Sequence, residues 1–173
     1  MEILNEVGMP ENIKNHSMQV NRVAMFLAGK LREKGFPVNM RLVDAASLLH
    51  DIDKHYILQY GDEYSHGAEG ARMLEEMGYP EVAPVVRKHV LCNLTRESLD
   101  TWEEKIVHYA DMRVTRDRIV PLEERIDYIR KRYGKDPARL ENINRSLEPL
   151  LAVEREILEA AGIGSDEIQN IQT

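Results

Sequence analysis

Cysteine is almost absent from this 173-residue sequence, and long hydrophobic runs are absent altogether. The lone Cys92 excludes an intrachain disulfide and a cysteine-based zinc site. No apolar run is long enough to span a membrane, and residues 1–6 lack the basic and apolar stretches of a signal peptide, so we expect a cytoplasmic location. A metal ion would have to bind through His, Asp or Glu.

Glycine and proline are few, and basic residues are outnumbered by acidic ones. Ten glycines and seven prolines are too few for a disordered or collagen-like chain, and 43% hydrophobic residues suffice for the core of one domain. Lys and Arg total 23 against 30 Asp and Glu, which gives a net charge of -7. This charge argues against nucleic acid or a membrane as partner, so local charge must hold any phosphate-bearing ligand. Nothing in the sequence indicates an oligomeric state.

Apolar residues recur at spacings of three and four along most of the chain, which predicts helices and an all-α fold. Glycine and proline mark most of the predicted helix ends. We expect the last helical segment to begin at Asp136-Pro137, to kink or split at Pro149 and to end at Gly162. The tail over 165–173 is expected to be frayed. The predicted helices cover roughly 10–34, 40–52, 65–77, 81–90, 102–114, 121–134 and 136–162, with polar loops over 56–65 and 93–100.

Several histidines and aspartates lie on apolar helix faces. His16 heads a stripe of valine and leucine, His50-Asp51 ends an apolar run, His89 follows three valines, and Asp111 shares the face of Val107. One such histidine is more often a satisfied core residue than a ligand. Burying several of these groups unpaired would cost several kcal/mol, and a shared cation resolves the whole set. Imidazole and carboxylate suit Mn, Fe, Co, Ni or Zn, while the lack of thiolate disfavours a purely structural zinc site.

The ordered residues His16, His50-Asp51 and Asp111 resemble the H…HD…D signature of the HD superfamily of metal-dependent phosphohydrolases. The flanking stretches 48–54 (LLHDIDK) and 109–111 (YAD) are similar to those of small HDIG-type members. The resemblance implies a single all-α HD-type bundle of about seven to eight helices, assigned to residues 1–164.

The resemblance also implies a ligand set. His16, His50, Asp51 and Asp111 would bind one cation. His66 and His89 match the extra histidines of two-metal members, such as bacterial HD-type diadenosine tetraphosphate hydrolases, and would hold a second cation with Asp51 as the bridge. We expect one or two divalent ions, with Fe or Mn preferred over Zn, Co, Ni or Mg.

The implied activity is hydrolysis of a phosphate ester or anhydride in a small nucleotide-like substrate: a nucleotide, a dinucleoside polyphosphate or a cyclic phosphate. Asp51 and Lys54 would be catalytic, and Lys54 would also bind a substrate phosphate. Arg113 and Arg116 could clamp phosphate, although ion pairing with surface carboxylates explains them equally well. The alternative function is a metal- and nucleotide-binding module that has lost turnover and serves in sensing or partner binding.

Some residues depart from the family pattern or have no role in it. Asp53 stands where many members have glycine, so the loop that leaves the helix is expected to differ. His55 and His108 match no ligand position and are expected to be surface or half-buried residues. The acidic pairs 75–76 and 103–104 are expected to face solvent, and Tyr64 and Tyr109 are expected to pack. The triplet 78–80 (GYP) is interpreted as an ordinary helix break.

Overall fold

The computed structural model describes residues 2–60 and 66–171, apart from the side chains of Leu58 and Tyr60. It confirms an all-α fold, to which one short hairpin is added. The α-helices are α1 (Glu2–Glu6), α2 (Glu11–Glu33), α3 (Met40–Leu49), α4 (Lys54–Tyr60), α5 (Ala68–Glu76), α6 (Ala83–Lys88), α7 (Trp102–Asp111), α8 (Leu122–Tyr133), α9 (Pro137–Arg145), α10 (Leu147–Ala161) and α11 (Ser165–Gln169). A 3-10 helix covers Leu91–Thr95, and strands β1 (Val114–Thr115) and β2 (Arg118–Ile119) pair antiparallel.

Helix α2 is the central element of the bundle and packs against α3, α7 and α10. Its apolar stripe, which includes Val20, Val23 and Leu27, is fully buried. Each such side chain stabilises the fold by about 1.5–3 kcal/mol. The apolar residues form two clusters, a larger one that includes Val20 and a smaller one that includes Ile13. His16 lies between these two positions on α2, so the boundary between the clusters is where the polar site is built.

The C-terminal part of the chain differs from the sequence-based expectation. The helical segment splits at Ser146 and not at Pro149, which lies in the first turn of α10 where its missing N–H is tolerated. Gly162 ends α10, as predicted, and it adopts the left-handed conformation with a φ of 67°. The expectation of a frayed tail is wrong over residues 165–169, which form α11. Ile168 is fully buried in the larger cluster, and this burial is the reason the segment is ordered.

The middle of the chain also holds elements that periodicity did not reveal. Residues 54–60 form α4 where a polar loop was expected to begin at residue 56, and the remainder of that loop, with Tyr64, lies outside the described residues. Helix α7 ends at Asp111, and Val114 belongs to the hairpin. Strands of two residues are too short to give a recognisable alternation. None of the helices within 2–60 and 66–171 is long and apolar enough to cross a membrane.

The acidic pair at 103–104 is buried, so the expectation that it faces solvent is wrong. Glu104 forms a capping box with Thr101 at the start of α7 and also pairs with Lys88. Glu103 accepts a hydrogen bond from the backbone N–H of Asn39 at 2.6 Å. These contacts join the start of α7 to α6 and to the start of α3, so both carboxylates have structural partners.

Candidate metal centre

Four of the expected ligands converge from three helices. The Nε2 atom of His16 on α2 lies 3.0 Å from Oδ1 of Asp111 at the end of α7, although 95 residues separate them in sequence. His50 caps α3, and its Nε2 lies 3.6 Å from Oδ2 of Asp51 and 3.9 Å from Oδ1 of Asp111. His16, His50 and Asp51 are buried. The potential ligand atoms of these three residues lie within 4.8 Å of one another, a spacing that one cation can bridge.

Asp51 also faces a second group of ligand atoms. Its Oδ1 lies 3.2 Å from Nε2 of His66 and 3.6 Å from Nε2 of His89, whereas its Oδ2 is the oxygen nearest His16 and His50. The carboxylate therefore stands between two sets of imidazoles, with one oxygen directed to each. The expected juxtaposition of His66 and His89 with Asp51 is present.

The far nitrogen of each ring is held by a hydrogen bond. A backbone carbonyl can only accept, so each Nδ1 that contacts one carries a proton, and Nε2 is the nitrogen that faces the centre. The Nδ1 of His66 is held instead by the carboxylate of Asp53 at 2.8 Å. The three carbonyl contacts are His16 to Arg116 at 2.7 Å, His50 to Ser47 at 2.8 Å and His89 to Val86 at 2.5 Å.

Electrostatics set the charge states that the potential ligands have in the metal-free protein. Burial lowers the pKa of His50 to about 4, so its ring is neutral at pH 7. Burial alone would raise the pKa of Asp51, but Lys54 and His50 hold it well below its usual range. The pKa of Asp111 is likewise held down against burial, by Arg125 and His16. Burial opposes the charge on His66, yet hydrogen bonds to Asp51 and Asp53 raise its pKa to about 9.

The residues at this centre fit a divalent cation. The buried Nε2 of His50 has no hydrogen-bond partner among the described residues, although an orphaned buried polar atom costs about 1–3 kcal/mol. The Nε2 atoms of His66 and His89 lie 3.2 Å apart and both face Oδ1 of Asp51, so they converge on one position that a cation could occupy. A cation would accept the lone pair of the His50 Nε2 atom and remove this cost.

Lys54 is the first residue of α4 and lies beside the centre, as the family resemblance implies. Its Nζ is 3.7 Å from Oδ1 of Asp51, and its side chain is 27% exposed, so the ammonium borders both the carboxylate and solvent. Burial disfavours the charged form, but Asp51 outweighs it and raises the pKa of Lys54. The ammonium is therefore charged at neutral pH.

The two candidate clamp residues are placed differently from the expectation. Arg113 is 2% exposed, and its donors contact the carbonyl of Val120, the hydroxyl of Tyr109 and the carbonyl of Ser165 at 2.8–3.1 Å. A substrate-binding role for Arg113 is wrong, because protein atoms already occupy these donors. Arg116 lies in the hairpin turn with an exposed side chain, and its contact with the centre is the backbone carbonyl that holds His16. Substrate binding by the Arg116 side chain stays a prediction.

The sequence analysis did not assign Asp53, Arg125 and His108 to the surroundings of the centre. Asp53 holds His66, and Arg125 of α8 donates from Nη2 to Oδ1 of Asp111 at 3.0 Å. His108 is fully buried, and both of its ring nitrogens lack a hydrogen-bond partner among the described residues. The expectation of a surface or half-buried His108 is therefore wrong. His108 sits one turn before Asp111 on α7, and this helical spacing is the signal that could have placed it near the centre.

Comparison with known proteins agrees with this geometry. The model of the HD domain family matches residues 13–132, which include all six expected ligands. An uncharacterized protein of Methanocaldococcus jannaschii is 32% identical over 146 residues, which cover 77% of this chain and 84% of the relative.

Two longer relatives carry the name tRNA (cytidine(56)-2'-O)-methyltransferase. The protein of Picrophilus torridus is 28% identical over 86% of this chain, and that of Thermoplasma volcanium is 26% identical over 87%. This chain spans 45% and 46% of their lengths, less than half of either protein. No solved structure matches the chain significantly. The match over residues 13–132, together with the buried His and Asp cluster, shows that the chain belongs to the HD domain family, whose members are generally metal-dependent hydrolases.

Proposed function

We propose that this protein is a metal-dependent phosphohydrolase that cleaves a phosphate ester or anhydride in a nucleotide-like substrate. The observation that carries the proposal is the position of Asp51, with one carboxylate oxygen directed to each of two imidazole groups. Such an arrangement is suited to two neighbouring cations, and two-metal sites are common in enzymes that displace groups at phosphorus.

The ligand sets follow from the contacts. His16, His50, Asp51 and Asp111 would hold one cation, and Asp51, His66 and His89 would hold the other. When bound in these positions, divalent cations would polarise a phosphoryl oxygen and would lower the pKa of water toward neutrality. The donor set of imidazoles and carboxylates favours Fe or Mn.

The remaining residues at the centre would bind the substrate phosphate or orient the histidine ligands. Lys54 is charged and borders solvent, so its ammonium can hold a phosphate oxygen next to Asp51. Asp53 and the carbonyl of Arg116 fix the rings of His66 and His16 from behind. Because these groups are in place before substrate arrives, little reorganisation is needed when it binds.

The names of two relatives support a nucleotide-like substrate. Both methyltransferase relatives are named for a reaction on a tRNA cytidine, and this chain matches less than half of each. We propose that the shared domain hydrolyses a phosphate group on a ribonucleotide. Lys54 supplies the local positive charge that such a ligand needs in a chain of net charge -7.

Elemental analysis joined to a phosphate-release screen tests the proposal. Protein purified without chelator is expected to retain Fe or Mn and to release phosphate from a subset of nucleotides, dinucleoside polyphosphates or cyclic phosphates. The Asp51→Ala variant is expected to lose both properties. Full metal occupancy with no turnover of any compound would contradict hydrolysis and favour the binding module.

A further inference from the structure

Arg125 reaches the metal centre from α8, an element outside the ligand motif. Its Nη2 lies 3.0 Å from Oδ1 of Asp111, the same oxygen that Nε2 of His16 contacts at 3.0 Å. The side chain is 13% exposed, and its Nε is buried without a hydrogen-bond partner among the described residues. One donor of the guanidinium thus faces a proposed metal ligand, and a second has no acceptor.

Pairing with Asp111 does not by itself account for this arrangement. If Asp111 holds a divalent cation, the guanidinium and the cation lie against the same carboxylate and repel each other. An anion that contacts both positive groups removes the repulsion. Phosphate is suited to this position, because the planar guanidinium carries five N–H donors, of which the contact with Asp111 uses one.

A second basic side chain stands at the other carboxylate. Lys54 contacts Asp51 as Arg125 contacts Asp111, so two positive side chains balance the two carboxylates that face the cations. The positive charge of each divalent cation is then left for the substrate to neutralise. A phosphomonoester carries up to two negative charges near pH 7, with three terminal oxygens, whereas a diester carries one charge and two terminal oxygens.

We propose that Arg125 is a substrate-binding residue that holds a terminal phosphate together with Lys54, so that the centre acts on phosphomonoesters in preference to diesters. This inference rests on the proposed function and narrows its substrate class. In the hydrolysis, the water oxygen bonds to phosphorus and the ester P–O bond breaks. One proton of the water goes to the released hydroxyl group, and the other stays with the phosphate.

Binding of orthophosphate to protein loaded with Mn²⁺ tests the role of Arg125 without turnover. Calorimetric titration of Arg125→Gln at metal occupancy equal to wild type is expected to show affinity reduced by at least about tenfold, the loss expected for one charge-assisted hydrogen bond. Arg118→Gln is the matched control, because that side chain is 71% exposed and pairs with Glu124 on the surface. Wild-type phosphate affinity in Arg125→Gln would overturn the inference and leave Arg125 as a charge partner of Asp111.

The monoester preference is tested with 4-nitrophenyl phosphate and bis(4-nitrophenyl) phosphate. Wild type is expected to have the higher kcat/KM for the monoester, and Arg125→Gln is expected to lose more activity on the monoester than on the diester. Arg125→Lys keeps the charge without the fork and is expected to recover part of the loss. Equal losses on both compounds, or a wild-type preference for the diester, would overturn the preference. If wild type cleaves neither compound, the proposed function is in question, and the phosphate titration still decides the role of Arg125.

Discussion

The Nδ1 of His66 lies 2.8 Å from Oδ1 of Asp53, and this contact fixes the ring whose Nε2 faces Asp51. Asp53 is fully buried, and its other oxygen accepts from the backbone N–H groups of Gly67 at 2.7 Å and Gly70 at 3.2 Å. At Gly70 a Cβ atom would lie only 3.2 Å and 3.3 Å from neighbouring valine and isoleucine side chains, so glycine permits this close approach. A residue that departs from the family pattern therefore orients a proposed metal ligand.

Asp53→Asn is expected to weaken binding of the second cation by about 10–100-fold, the usual cost of losing a carboxylate behind a histidine ligand. The amide cannot accept from His66 and from both glycine N–H groups as the carboxylate does. Metal titration should show one weakened equivalent and one unchanged equivalent. Two equivalents of wild-type affinity would mean that Asp53 does not position His66 for metal.

His66 gives the metal-free protein a pH-dependent stability. Its pKa is raised from 6.5 to about 9, so its favourable contribution is complete below pH 6.5 and is lost as the pH rises through 9. The contribution is up to about 3 kcal/mol. Denaturant unfolding of chelator-treated protein at pH 6.5 and 9.5 should show a larger loss for wild type than for His66→Asn. Parallel losses would contradict the raised pKa.

The pH dependence of stability that we expect from His108 has the opposite sign to that from His66. Burial lowers its pKa to about 4, so the folded state keeps the ring neutral while the unfolded chain takes up a proton below pH 6.5. Its contribution to stability is complete above pH 6.5 and is lost as the pH falls toward 4. His108→Leu removes this titration, so its free energy of unfolding should fall less between pH 6.5 and 4 than that of wild type. Curves of equal slope would show that His108 is not held neutral.

Two further histidine variants test whether His55 and His108 belong to the scaffold and do not bind metal. His55→Ala is expected to leave metal retention and turnover nearly intact, because His55 lies on α4 outside the groups of potential ligand atoms found among the described residues. His108→Ala is expected to leave metal content unchanged at temperatures where the protein is folded, but to reduce stability by about 2–4 kcal/mol through the cavity it creates. Loss of metal from folded His55→Ala or His108→Ala would mean that the substituted histidine belongs to the metal site and not to the scaffold.

The sequence predicted the parts of the site that short segments encode. His16, His50 and Asp111 each follow or head an apolar helical stripe, so their burial and convergence could be expected. The burial of Arg113 could not be predicted, because one of its partners is the carbonyl of Ser165. That residue is 52 positions away, in a segment that was expected to be frayed.

Contacts from other elements account for most of the remaining differences. Arg125 belongs to a helix with no motif, and only the fold brings it to Asp111. The burial of Glu104 had a readable signal, since Thr101-x-x-Glu104 is a capping-box pattern that marks the start of α7.

The bridging position of Asp51 is the central claim, and anomalous scattering from crystals soaked with Mn²⁺ tests it most directly. The account predicts two anomalous peaks, one on each side of the Asp51 carboxylate, with ligand atoms of His16, His50, His66, His89 and Asp111 at about 2.0–2.3 Å. A single peak away from Asp51, or Asp51 turned toward solvent in the metal-loaded protein, would contradict the account.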